Sequence, residues 1–264
     1  MAAAAATAVA AAGAARGYGY EVAVVADGAL PRGLLVVLVA DLHVHGAVPR
    51  WVVEQVARLR PDVLLVAGDS WDELSPWPPR PAVEALRAMA GAAGEAYAVP
   101  GNHEYAAARR RGEDPLSATR RLYAEAGVRL LADEAVEASS GLRVCGVDWR
   151  DEPAGYADAA SMARREGCRI VLSHSPDVFH YADPGFGALY LAGHTHGGQV
   201  CLPGAVSLFT NSRFGYRWGL YRRGAARLYV SRGLGEMLPP RLYCSRQLVA
   251  VRGANRGRGA GMEA

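Results

Sequence analysis

The chain has 264 residues, 51% of them hydrophobic and 21% charged, with a formal net charge of +3. That length suits one large α/β domain with a substantial core, or two small ones, and the composition is that of an ordinary globular protein. A net charge this small does not argue for a nucleic-acid polymer or an acidic membrane as partner. All 29 basic residues are Arg and isoleucine occurs once, at Ile170, which reads as GC-rich codon usage rather than as function.

The chain opens on an Ala-rich stretch, Met1 to Ala15, with no charge before Arg16. It lacks the charged start of a secretory signal and is shorter than the ~20 residues that span a bilayer. Residues 1–17 are therefore expected to be a disordered or weakly helical extension, and the protein to be cytoplasmic or at the membrane periphery. Strands are expected at Tyr20 to Ala26 and, continuously apolar and β-branched as in a strand buried on both faces, at Leu34 to Ala40. Pro49 to Leu59 has helical periodicity, Val63 to Ala67 reads as a second buried strand, and Ser75 to Pro79 as a loop. A helix is expected over Pro81 to Ala92 and a strand over Glu95 to Val99. Asp114 to Ala126 reads as a helix stopped by Gly127, followed by short strands at Val128 to Leu131, Ala135 to Glu137 and Leu142 to Val147. Tyr156 to Glu166 is expected to be helical, and Arg169 to Leu172, Leu189 to Ala192, Arg227 to Ser231 and Gln247 to Val251 to be strands. No repeat or linker interrupts the chain between Ala26 and Arg252, so one domain over 18–252 is expected, with a Gly/Arg-rich disordered tail at 253–264. The four cysteines, Cys145, Cys168, Cys201 and Cys244, form no CxxC pair and are expected to act as buried small hydrophobes, though their even number leaves disulfides open.

Five of the seven histidines fall in short blocks that also hold Asp, Asn or Gly, each just after a strand-length apolar run. The blocks are Asp41-Leu42-His43, Gly68-Asp69, Gly101-Asn102-His103-Glu104, Ser173-His174 and Gly193-His194-Thr195-His196-Gly197-Gly198. Asp41 and His43 are two apart at a strand end, so both side chains are expected to point the same way. Asp69 follows a glycine that permits a sharp turn, and its two oxygens can bridge two ions; Asn102 can add a neutral amide oxygen. With His174, His194 and His196 this makes seven candidate ligands, four per ion when Asp69 is shared. Imidazole with carboxylate oxygen suits Mn, Fe, Zn or Co. Two such ions about 3.5–4 Å apart polarise a phosphoryl group and acidify a bridging water, so phosphoester hydrolysis by a metal-bridging hydroxide is the expected reaction. His103, beside a ligand but not assigned as one, is the expected proton donor to the leaving oxygen. Asp72 and Glu73 are expected to support the ligands, and His45 and His180 to lie at the surface or behind the ligands.

The order of these blocks resembles the calcineurin-like metallophosphoesterase superfamily. The resemblance implies a four-layer αββα sandwich with two mixed sheets and a dimetal site at strand C-terminal ends. It places Asp41, His43, Asp69 and His196 on one ion and Asp69, Asn102, His174 and His194 on the other. The stretches Pro61 to Asp69, Ala98 to His103 and His194 to Gln199, with Gly219 to Tyr221 and Leu228 to Gly235, are similar to a bacterial branch of membrane-associated or exported phosphodiesterases. That branch is in turn similar to enzymes that cleave the pyrophosphate of UDP-diacylglucosamine in lipid A synthesis, the alternative reading. Two departures stand out: Ser245-Arg246 where the branch often has Pro-Glu, and the Ala-rich start where it often has a hydrophobic anchor.

The substrate expected is a small or lipid-linked phosphoester, with peripheral membrane contact possible and no nucleic-acid polymer. A protein Ser/Thr phosphatase is disfavoured because Gly68-Asp69-Ser70-Trp71-Asp72-Glu73 lacks an Arg-Gly continuation; a non-catalytic binding module is disfavoured because the ligands and His103 are intact. Arg213, Phe214, Tyr216 and Trp218 form an aromatic and basic stretch able to line a substrate pocket.

Overall fold

In the computed structural model the described residues are 7–8, 19–28, 30–46, 50–204, 206–236 and 241–253. The expected extension and tail lie outside them, apart from Thr7, Ala8 and Gly253. The chain runs β1 (Thr7–Ala8), β2 (Tyr20–Asp27), β3 (Leu35–Val39), α1 (Arg50–Leu59), β4 (Val63–Val66), α2 (Arg80–Ala90), β5 (Glu95–Ala98) and α3 (Asn102–Arg109). It continues through α4 (Pro115–Glu125), β6 (Arg129–Leu130), β7 (Glu134–Glu137), β8 (Arg143–Val147), α5 (Tyr156–Arg165) and β9 (Ile170–Ser173). The last elements are β10 (Leu189–Ala192), β11 (Cys201–Leu202), β12 (Val206–Ser207), β13 (Gly219–Arg223), β14 (Ala226–Val230) and β15 (Arg246–Gly253).

Two mixed sheets stack face to face. The first has the order β1-β2-β15-β3-β4-β5-β6 and the second β13-β14-β10-β9-β8-β7. In the first, β3, β4, β5 and β6 are mutually parallel while β15 runs antiparallel to β3 and parallel to β2. In the second, β14, β10, β9 and β8 are parallel, with β13 and β7 antiparallel at the edges. Parallel strands need crossover connections, and the helices that supply them cover both outer faces. Val36, Leu38, Val63 and Leu65 of the first sheet pack between the sheets against Ile170, Leu172, Leu189 and Leu191 of the second. The alternate residues Val37, Val39, Leu64 and Val66 face Val52, Val56, Leu86, Met89 and Leu122 of the helices. On the far side, α5 and the 3-10 turn Pro176–Tyr181 cover the second sheet through Tyr156, Ala160, Val178 and Phe179. The result is the four-layer αββα sandwich.

Local chemistry sets the helix ends. α4 begins where the Asp114 side chain accepts the Ser117 N–H at 2.9 Å, with Pro in the first turn, and ends at Gly127, whose φ of +76° stops it. Three elements differ from the sequence expectation. Asn102–Arg109, for which no element was expected, is a helix, because the Gly101-Asn102-His103-Glu104 block places a Glu at its third position to hold the N-terminal amide. Val200 to Ser207 turns as a small hairpin and Gly219–Arg223 adds an edge strand; both are too short or irregular to carry a periodic signal. Cys145 and Cys168 are joined by a disulfide, for which their spacing gave no signal, because β8 and the turn into β9 are neighbours in the sheet; Cys201 and Cys244 are free thiols and buried.

At Thr7–Ala8 the chain pairs antiparallel with Val24 and Val25 of β2, so at those two residues it is extended rather than helical.

Candidate metal centre

Every one of the seven candidate ligands lies just past a strand of the parallel cores. Asp41 and His43 follow β3, Asp69 follows β4, Asn102 follows β5, His174 follows β9, and His194 and His196 follow β10. The expected reason for Asp41 and His43 converging is incorrect: β3 ends at Val39, so strand alternation does not apply. Both residues instead take left-handed backbone conformations, φ 54° and 43°, as do Asp69 (52°), His194 (71°) and His196 (51°). Side-chain-bearing residues occupy that region at a cost of order 1–3 kcal/mol each and persist there only when the surroundings over-determine them. Here the ladder Asp41 N–H to Gly68 O, His43 N–H to Asp69 O and Val44 N–H to Ser70 O ties the two loops together at 2.9–3.1 Å. Gly101 is required by close approach, since a Cβ there would run into the Asp69 carboxylate.

Hydrogen bonds then fix which imidazole nitrogen faces inward. His174 Nδ1 lies 2.7 Å from the Ala67 carbonyl, which can only accept, so Nδ1 carries the proton and Nε2 presents its lone pair. His43 Nδ1 donates to Asp72 Oδ2 at 2.9 Å, and His196 Nδ1 lies 3.2 Å from both the Gly235 carbonyl and Arg241 Nη2, which orient its ring. Their Nε2 atoms meet at 3.2 Å. His174 Nε2 lies 3.0 Å from His194 Nδ1, 3.0 Å from Asn102 Oδ1 and 3.1 Å from Asp69 Oδ2. Asp69 Oδ2 also lies 3.7 Å from His43 Nε2, so one oxygen stands between the two groups.

This donor set fits two divalent cations. The inward nitrogens of His43, His174 and His196 converge beside Asp69, where a cation can take the place of the proton that the carboxylates hold on His174. Asp41 Oδ1 accepts the His194 N–H at 2.9 Å, while its buried Oδ2 has no hydrogen-bond partner. A buried carboxylate oxygen of that kind is costly unless a cation compensates it. Asp69, His174 and His194 present ligand atoms within 4.8 Å of one another. The electrostatics agree. Burial and the neighbouring Asp69 both raise the Asp41 carboxyl above the usual range, with His174 opposing. Burial would lower His174, but Asp69 in contact and Asp41 nearby raise it to about 9; burial and the positive His174 push His194 down to about 3. The buried carboxylates thus hold positive charge at this point of the molecule.

The supporting residues are as informative. Asp72 accepts from both His43 and His45, the latter at 2.6 Å. Glu73 Oε2 lies 2.8 Å from His103 Nδ1, and the His103 amide donates to Asp69 Oδ1 at 2.9 Å. Sequence reasoning missed the position of Glu104. It is fully buried, accepts the amides of Asp69, Ser70 and Gly101 at 2.7–2.8 Å, and takes the Tyr123 hydroxyl at 2.8 Å. Burial and Asp69 push its carboxyl up to about 7. The signal was its place three residues after Gly101, the spacing by which a helix-start carboxylate reaches back to amide groups. Trp149, also missed, sets its ring 5.6 Å from His174 and 5.2 Å from His194.

The centre opens into a cleft of about 410 Å³ walled on one side by His43, Asp69, Asn102 and His103 and on the other by Thr195, Gln199, Phe209, Thr210 and Asn211. The expected aromatic stretch does not line it. Phe214 stacks on His180 at 3.6 Å, Tyr216 packs on Phe179 and Tyr221, and Trp218 lies under Arg232. These rings are held away because Asp177 binds the Ser212 hydroxyl and the Arg213 amide, turning the chain outward.

The family model for calcineurin-like phosphoesterases matches residues 34–198, which include every candidate ligand. The chain belongs to the calcineurin-like phosphoesterases. It is similar to an uncharacterized metallophosphoesterase of Aquifex aeolicus, 29% identical over 238 residues, spanning 80% of this chain and 82% of that one. Phosphodiesterase YaeI of Escherichia coli is 28% identical over 241 residues, 85% of this chain and 83% of that one. UDP-2,3-diacylglucosamine pyrophosphatase LpxG of Chlamydia muridarum is 33% identical over a shorter stretch of 92 residues, 31% of this chain and 28% of that one. The protein is therefore a metal-dependent phosphoester hydrolase. Among the described residues no helix is long and apolar enough to cross a membrane.

Proposed function

We propose that this calcineurin-like phosphoesterase is a dimetal phosphodiesterase whose ligands are Asp41, His43, Asp69, Asn102, His174, His194 and His196. The observation that carries it is Asp69 Oδ2, 3.1 Å from His174 Nε2 and 3.7 Å from His43 Nε2, with each imidazole's other nitrogen bonded outward. Divalent ions bound here, Mn, Fe, Zn or Co by donor type, would supply Lewis-acid polarisation of the phosphoryl group and acidify a water for attack.

The rest falls to the chain. Ala67 and Asp72 hold the Nδ1 atoms of His174 and His43, and the Gly235 carbonyl with the Arg241 guanidinium holds the ring of His196, so each Nε2 is already aimed inward when cations enter. His103 lines the cleft with Nδ1 held by Glu73, which leaves Nε2 to deliver a proton to the departing oxygen. Glu104 clamps the Asp69 and Gly101 loops, keeping Asp69 and Asn102 in register. The similarity to Phosphodiesterase YaeI supports a diester, and that to LpxG a second reading in which the scissile bond is the pyrophosphate of a lipid-linked nucleotide.

The test is metal content and turnover together. Purified protein is expected to hold close to two divalent ions per chain and, with Mn²⁺, to hydrolyse bis-p-nitrophenyl phosphate faster than p-nitrophenyl phosphate. Preference for the monoester would overturn the diester reading, and one ion or none the dimetal one. Rapid release of UMP from UDP-diacylglucosamine with slow turnover of the simple diester would select the second reading.

A further inference from the structure

Eight large hydrophobic side chains are exposed among the described residues, and six of them, Val200, Leu202, Val206, Leu208, Phe209 and Phe214, fall within fifteen positions of one another. Their arrangement is not accidental scatter. In the β11–β12 hairpin Leu202 pairs with Val206 and Cys201 with Ser207. Side chains alternate along a strand and directly paired residues share a face, so Leu202 and Val206 lie together, and Val200 and Leu208 just beyond the two short arms are exposed as well. Cys201, on the opposite face, is buried against the Gly197 carbonyl. The hairpin and its two flanking positions, whose solvent side would ordinarily be polar, thus expose four aliphatic residues, with Leu202 49% and Val206 56% exposed. Phe209, 68% exposed, is next in the chain and lines the metal cleft.

Charge is distributed in the same place. From Gln199 to Gly235 the chain has six Arg (Arg213, Arg217, Arg222, Arg223, Arg227 and Arg232) and no Asp or Glu. Since the whole chain carries +3, everything outside this stretch sums to −3. Arg227 and Arg232 pair with Asp27 and Glu21, and Arg213, Arg217, Arg222 and Arg223 are exposed at the surface, Arg223 also donating to the His180 carbonyl. The Arg217 carbonyl accepts the Thr195 hydroxyl between the two ligand histidines of that loop, so this basic segment borders the cleft as well. The small net charge of the chain hides this asymmetry.

An apolar ribbon flanked by arginines matches the two attractions that hold a protein at an anionic bilayer: burial of apolar side chains at the acyl boundary and attraction of basic groups to the surface potential. We propose that the Val200–Leu208 hairpin is a membrane-docking element that seats the cleft on an anionic phospholipid surface, so that the phosphoester cut belongs to an amphiphile held in that surface. The substrate half of this proposal rests on the phosphodiesterase reading; the docking half does not.

Vesicle co-sedimentation of the full chain separates the two. Wild-type protein is expected to bind vesicles of phosphatidylcholine with 30 mol% phosphatidylglycerol at least tenfold more tightly than pure phosphatidylcholine, and less tightly as salt rises. Leu202→Ser/Val206→Ser/Leu208→Ser, and separately Arg213→Glu/Arg217→Glu, are expected to lower that binding at least tenfold while leaving turnover of soluble bis-p-nitrophenyl phosphate within about twofold, which shows the fold intact. Wild-type binding no better to anionic than to neutral vesicles overturns docking, as does a triple variant that still binds. A wild-type dimer that the triple variant converts to monomer, without vesicle binding, assigns the face to self-association instead. Loss of turnover with vesicle binding retained strikes the phosphodiesterase reading alone.

Discussion

The two walls of the cleft are built on opposite principles. On the wall formed by the loops after β3, β4 and β5, the polar side chains are pinned, Asp72 by His43 and His45, Glu104 by three amides and Tyr123, His103 by Glu73, and Asp72 and Glu104 are fully buried. On the other wall, after Gly198, the lining residues Phe209, Thr210 and Asn211 sit on an exposed, basic and apolar segment. A reaction that needs ligand atoms held to fractions of an ångström belongs on the first wall; recognition of a large or surface-bound substrate tolerates the second. The family match ends at residue 198, where the character of the chain changes.

Substitutions at the pinned wall are expected to cost most. Asp69→Asn removes the charge from the oxygen shared by both ligand groups; activity should fall by more than the ~100-fold that marks residues merely supporting ligands, with bound metal dropping in elemental analysis. Retention of two ions with near-normal turnover would show that Asp69 is not the bridge. His103→Ala is expected to lower kcat about 10²–10⁴-fold for diesters with poor leaving groups, and much less for p-nitrophenolate, which departs without a proton. Equal losses on both substrates would remove the proton-donor role. Glu73→Gln, acting only through His103 Nδ1, should cost about 10–100-fold in kcat and shift the acidic or basic limb of the kcat–pH profile, with metal content unchanged. A KM effect alone would place Glu73 in substrate binding instead.

A smaller effect concerns stability. Burial and Asp69 raise Glu104 to about 7 in the folded protein, above the ordinary value of 4.5. The folded state therefore holds that proton more tightly than the unfolded chain. Its contribution is complete below about 4.5 and is lost as pH rises through about 7. In chelator, the melting temperature is expected to fall across that window; a flat profile would mean Glu104 is already ionised at low pH. Smallest of all, Leu202→Ser/Val206→Ser should leave the melting temperature within about 2 °C, because surface positions contribute within about ±0.5 kcal/mol. A large drop would show that the hairpin is packed rather than presented.

Much of this molecule is legible in its residues. The strands β3, β4, β9 and β10 are almost wholly apolar runs, and the blocks that follow them hold six of the seven ligand candidates, with Asn102 and His103 after β5, because parallel strands bring their C-terminal ends to one edge of each sheet. What stayed hidden depends on neighbours distant in the chain. The tautomer of His174 is decided by the Ala67 carbonyl 107 positions away. Glu104 looks like one more acidic residue until the fold brings Asp69, Ser70, Gly101 and Tyr123 around it. Cys145 and Cys168 carry no spacing signal, yet adjacent strands bring them to bonding distance.

By itself, then, the sequence determined which residues can bind metal and where along the chain strands deliver them, since residue type and hydrophobic run are local properties. Only the tertiary structure decided which nitrogen of each imidazole faces inward, that Asp69 stands between two ligand groups, and that the aromatic stretch at 214–218 turns away while Val200 to Phe209 flanks the cleft. Those outcomes are set by hydrogen-bond acceptors and packing partners that meet only when the two sheets close.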